Sequence, residues 1–159
     1  MKSALSIFIP LCVLLTCCNT PPPEDKPGPF DKSANAEEQI QQSLATTRGS
    51  GKHVLLVFGA NWCSDSIRMI NLLRTDPQIT RTLQESYLLT MVDVGPKKDW
   101  RNLDLVNRYH ATIEQGIPVL VVLDETGNVL NDSREERLLD SDHQHPERVL
   151  GFLRKHAPR

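Results

Sequence analysis

No apolar run in this 159-residue chain is long enough to cross a bilayer as a helix, which takes about 20 residues. The nearest candidate, Ala4 to Leu15, is short and is interrupted by Ser6, Pro10 and Cys12. Charge of one sign is not in excess either. With 18 basic against 20 acidic residues, nothing in the balance points to nucleic acid. Lys97 and Lys98 are an adjacent basic pair beside Pro96; we read them as a solvated loop, the alternative being a phosphate contact. Aromatic residues make up only 5% of the chain, and no cofactor-binding signature accompanies them. Internal repeats are absent. Cysteine is scarce, and no second cysteine follows Cys63 at short spacing.

The first residues read as a targeting segment. Lys2 supplies a positive start, and Ala4 to Leu15 is a short apolar region. Leu15-Thr16-Cys17-Cys18 resembles a bacterial lipobox, in which cleavage precedes a cysteine that then receives lipid. Residues 1–17 are therefore expected to be a lipoprotein signal peptide, with Cys18 the lipidation site, Cys17 the alternative to it, and simple secretion the competing reading. Residues 18–33 are rich in proline and cannot build a helix or a central strand. They read as a semi-extended tether between membrane and domain. The implied location is the periplasmic side of a bacterial cell envelope, on a lipid anchor, with the outer membrane favoured over the inner.

Processing decides the cysteine count. Cys12 leaves with the leader, as does Cys17 if Cys18 is lipidated, so Cys63 remains as a single free thiol. In an oxidising compartment a solitary cysteine has no internal disulfide partner, and it is a candidate reactive thiol. Its surroundings agree. Val54 to Gly59 is an apolar run with the look of a strand buried on both faces. Ala60, Asn61 and Trp62 turn the chain, and beyond Cys63 the residues Ile67, Ile70 and Leu73 recur at helical spacing. A cysteine at a helix start meets unpaired backbone N–H groups and the positive end of the dipole, which favour thiolate, the nucleophilic form. An inert core cysteine is the alternative.

Phe58-Gly-Ala-Asn-Trp-Cys63-Ser-Asp-Ser66 resembles the active-site segment of the thioredoxin family, and Gly116-Ile117-Pro118-Val119-Leu120 resembles the family's cis-proline loop and following strand. Asp124 to Asn128 fits the hairpin turn after that strand. The resemblance implies a thioredoxin-like α/β fold over residues 34–159, a central mixed sheet with helices on both faces. It implies Cys63 as nucleophile, and Trp62, Ile117 and Pro118 as the substrate contact. The chain departs from the family in two places. Ser66 stands where dithiol members carry the resolving cysteine, and Val57 falls on the family's buried acid. Ser66, three residues on from Cys63, is expected to share its helix face and to hydrogen-bond to its sulfur. It cannot attack a mixed disulfide, so release requires a second thiol.

The rest of the chain reads as helix capped by Ser33 over 34–47, core strand to Gly59, the Cys63 helix to about Arg74, and a helix opened by Asp76 and Pro77. A second core strand follows over Tyr87 to Val94, then a helix over Trp100 to Tyr109, a third strand over Val119 to Leu123 and an edge strand starting at Val129-Leu130. Asn131 to Asp142 reads as irregular, with a possible edge strand near Leu138-Leu139, before a last helix from Pro146 to His156.

Three smaller constellations compete with the Cys63 segment. Asp65 disfavours a nearby thiolate, and Arg68 is placed to neutralise it. His53 and His110 would activate Cys63 only if the fold brought them to it. His143 and His145 alternate like metal ligands but lack a third, so no metal and no cofactor is expected. The activity that fits is monothiol thiol–disulfide exchange, of isomerase or reductase type, on protein or small-thiol disulfides. A non-catalytic binding or chaperone module using the same groove is the second reading, and a thiol cycling through sulfenic acid is the third.

Overall fold

The computed structural model describes residues 28–131, 138 and 145–159. The leader, Cys18, most of the tether, Leu139 and His143 lie outside the described residues, so the readings placed on them are not addressed by the fold.

Three strands form the sheet among the described residues, β1 (His53–Gly59), β2 (Tyr87–Asp93) and β3 (Val119–Leu123), in the order β2-β1-β3. β1 runs parallel to β2, with Val54 opposite Leu88, and antiparallel to β3, with Val54 opposite Leu123. The parallel pair is joined through two helices, α2 (Ser64–Thr75) and α3 (Pro77–Ser86). Such a crossover is what a parallel connection requires. α1 (Ala36–Thr47) precedes the sheet, α4 (Leu103–Arg108) precedes β3, and α5 (Pro146–Lys155) closes the chain.

β1 is apolar from Val54 to Phe58 because both of its faces are covered. Val54, Leu56 and Phe58 look to one side and join Ile40 and Leu44 of α1, Leu105 and Val106 of α4, and Ile117. Leu55 and Val57 look to the other, where they meet Met69, Ile70 and Leu73 of α2, Ile79 of α3 and Val149 and Leu153 of α5. Val57, the position of the missing acid, is fully buried in this second cluster. Each such burial is worth about 1.5–3 kcal/mol, so the central strand is a firm base for the turn and helix at its carboxyl end.

The element ends correct several expectations. Ser33 does not cap α1; its hydroxyl donates to Asp31, and Asn35 accepts from the Glu38 N–H instead. α4 starts at Leu103 rather than Trp100, because Asn102 takes a left-handed conformation (φ 54°) with its side chain donating to the Asp93 carbonyl. Asp76 caps α3 with Pro77 in its first turn, as the sequence suggests. The Asp124 turn is also present. Burial opposes ionisation of Asp124, but hydrogen bonds from Thr126 and Asn128 outweigh it and hold the carboxyl well below its usual range. The strand expected after this turn is a single bridge, Leu123 to Val129. A side chain ends the ladder there: Asn131 accepts from the Val122 N–H at 2.7 Å and donates to the Leu120 carbonyl at 3.0 Å.

The packed body extends further toward the amino end than residue 34. Phe30, read from sequence as tether, is 1% exposed and belongs to the second cluster.

Candidate functional site

The site is built where β1 ends. Gly59 is the last strand residue, residues 60–62 make the turn, and Cys63 is the N-cap of α2, with extended backbone (φ −89°, ψ 113°) and no side-chain capping bond. Its sulfur is thereby placed at the amino end of a 12-residue helix. It is half-buried and packs against the first core cluster. The thiol bonds to the cis-proline loop: Sγ donates to the Ile117 carbonyl at 3.3 Å. The Ile117–Pro118 peptide is cis.

The sequence-derived set is partly gathered here. Cys63, Trp62 and the 117–118 backbone come together. Ile117 and Pro118 are themselves buried, and the contact made with Cys63 is through main chain, the Ile117 carbonyl. Trp62 is half exposed, and its ring is fixed by an Nε1 bond to the Gly95 carbonyl at 2.8 Å and by the Trp100 ring at 6.3 Å. Asp65 is paired with Arg68 at 2.8 Å, the neutralisation that their spacing suggests.

Ser66 is not where its expected role needs it. The residue is fully buried and its hydroxyl has no hydrogen-bond partner, so the bond to the Cys63 sulfur is not made. It lies instead under Phe30: a Cβ placed on Gly59 would sit 2.5 Å from the Phe30 ring and 2.9 Å from the Ser66 oxygen. The helix face is shared, but the hydroxyl is directed into the packing. His53 starts β1 at the end opposite Cys63, with Nδ1 against the His156 carbonyl, and cannot activate the thiol. His110 follows α4 with φ 52°. His145 is the N-cap of α5, and no group of three metal-ligating side chains exists among the described residues.

Sequence reasoning missed the Phe30–Asn61 clamp. The Phe30 N–H donates to the Asn61 side-chain oxygen at 3.0 Å, and the Asn61 amide donates back to the Phe30 carbonyl at 2.7 Å. The available signal was a lone aromatic in a proline-rich run. Asp93 was also missed; it is buried beside Trp62, accepting from the Gly95 N–H at 3.0 Å with Arg101 at 3.7 Å.

Chemically, the arrangement is a thiol on a half-buried residue at a helix amino end, with a main-chain carbonyl beside it and an exposed tryptophan before it in the chain. Nothing among the described residues supplies a second thiol.

The family model for the Thioredoxin-like domain matches residues 40–133. Among solved structures, the chain is similar to a disulphide isomerase from Xylella fastidiosa Temecula1, at 32% identity over 82% of this chain and 97% of that one, with a TM-score of 0.73. A thioredoxin from Thermus thermophilus is matched at 21% identity over 72% of this chain and 81% of that one, with a TM-score of 0.48. No curated protein matches the chain.

Proposed function

The chain belongs to the thioredoxin-like family, and on that premise we propose that it carries out thiol–disulfide exchange through Cys63 alone. The observation that carries this reading is the placement of the Cys63 sulfur at the start of α2, on a half-buried residue and 3.3 Å from the Ile117 carbonyl. The Cys63 thiolate attacks one sulfur of a substrate disulfide. A new bond forms between Cys63 and that sulfur, the substrate bond breaks, and the electron pair leaves on the other sulfur, which takes up a proton. A second substrate thiolate then attacks the mixed disulfide and expels Cys63 unchanged. No net electrons move, and the outcome is isomerisation. If the second thiolate belongs to a small external thiol, two attacks by that thiol reduce the substrate and oxidise the thiol to its disulfide.

The similar structure from Xylella fastidiosa is itself described as a disulphide isomerase, which supports the exchange chemistry. The proposed setting is the bacterial envelope, on a lipid at Cys18, with envelope disulfides as substrates. No helix among the described residues is long and apolar enough to cross a membrane. The test is recovery of activity by a scrambled, disulfide-bonded reporter enzyme in a thiol buffer. The native chain should accelerate it and Cys63→Ala should not; equal acceleration by both would leave only the groove-binding, chaperone reading.

A further inference from the structure

Trp62 lines a cavity of about 130 Å³ together with Gly95, Pro96, Arg101, Asp93 and Lys32. Trp62 is the chain neighbour of Cys63, so a peptide sulfur bonded to Cys63 brings its flanking residues within reach of this wall. The wall is shaped to last. The Trp62 ring is held by Gly95 and Trp100, and half of it faces solvent.

Its lining is net positive by formal charge. Lys32 and Arg101 set two positive charges against the single negative charge of Asp93. Asp93 is only 7% exposed and is already engaged by the Gly95 N–H and, at 3.7 Å, by Arg101. A guanidinium carries five N–H donors in a fixed fork, and nearly half of the Arg101 side chain is exposed. The adjoining 96–99 segment is exposed and adds Lys97 and Lys98 against Asp99.

We propose that this cavity is a subsite for an acidic side chain flanking the substrate cysteine, so that the preferred disulfides carry Asp or Glu one or two residues from the reacting sulfur. The inference rests on the exchange reading for Cys63 and narrows its substrate class. The stem of the acid lies against the Trp62 ring, and its carboxylate meets Arg101 and Lys32, the geometry that favours Arg in carboxylate recognition. A basic flank meets two like charges and is disfavoured.

The experiment uses three peptides that differ only in having Glu, Gln or Lys beside one cysteine, each as a mixed disulfide with the same small aromatic thiol. Stopped-flow release of that thiol by the full chain gives the rate of attack. The Glu peptide should react about tenfold faster than the Lys peptide, equivalent to ~1.4 kcal/mol. The gap should narrow as salt is raised. Lys32→Gln and Arg101→Gln should each shrink it, and Arg101→Lys, which keeps the charge without the fork, should retain part of it and stands in if Arg101→Gln misfolds. A binding arm follows Trp fluorescence of Cys63→Ala titrated with the same peptides made with Ser in place of the cysteine. Equal rates for the three peptides, or a Glu preference untouched by both substitutions, overturn the subsite while exchange at Cys63 stands. No thiol release from any peptide, with the Glu form still bound more tightly than the Lys form, overturns the exchange reading while the subsite stands.

Discussion

Asn61 holds Phe30 by both ends of its peptide frame, accepting from its N–H at 3.0 Å and donating to its carbonyl at 2.7 Å, although 31 residues separate them. The segment leading into the domain is thereby fastened to the turn that presents Cys63, two residues beyond Asn61.

Asn61→Ala should release that fastening. Loss of two partly buried hydrogen bonds is expected to cost about 1–3 kcal/mol. Amide exchange at Phe30 should quicken far more than exchange in β1. Unchanged protection at Phe30 would show that ring burial alone seats the segment.

Gly59→Ala tests the packing beneath the same ring. The added methyl would lie 2.5 Å from Phe30 and 2.9 Å from the Ser66 oxygen, an overpacking expected to cost about 1–3 kcal/mol in chemical denaturation. Phe30→Leu in the Gly59→Ala background should recover part of the loss, because neighbours that share one space are not additive. Additive costs would place the strain elsewhere.

Ser66→Ala should leave exchange at Cys63 at its native rate and raise stability, by about 1 kcal/mol, since it removes a buried hydroxyl that has no partner. A fall in rate with unchanged stability would restore the contact with the sulfur that the sequence suggests.

Tyr87 gives an alkaline prediction. Burial pushes its phenol pKa well above the ordinary value, and the hydroxyl donates to the Leu153 carbonyl at 2.6 Å. The unfolded chain ionises first, near pH 10, so the folded state binds more protons above that pH. Stability from this group is complete below about pH 10 and declines as pH rises toward the folded value. Urea midpoints between pH 8 and 12 should show the decline. Tyr87→Phe should flatten it while starting about 1 kcal/mol lower for the lost hydrogen bond.

What the sequence made legible depended on how local its cause was. β1 and β3 could be read because strands covered on both faces are near-continuous apolar runs, and α3 because Asp76 and Pro77 are a local start signal. Cys63, Trp62 and Pro118 were found through two short motifs, and the fold does bring them together. The failures were tertiary. Ser66 shares the Cys63 helix face by periodicity, yet Phe30, 36 residues upstream, decides what its hydroxyl meets. The tether boundary was misjudged at Phe30 for the same reason: composition described the run around it, and one aromatic found a place in the core.

The Asn131 amide imitates a peptide group along the outer side of β3, answering Val122 and Leu120, while the Leu130 N–H answers the Val122 carbonyl at 2.8 Å. A margin on which Val122 and the Leu120 carbonyl are already answered gives a foreign strand little to template on. For a protein whose proposed clients arrive misfolded and with backbone exposed, that seal would keep clients from annealing onto this flank.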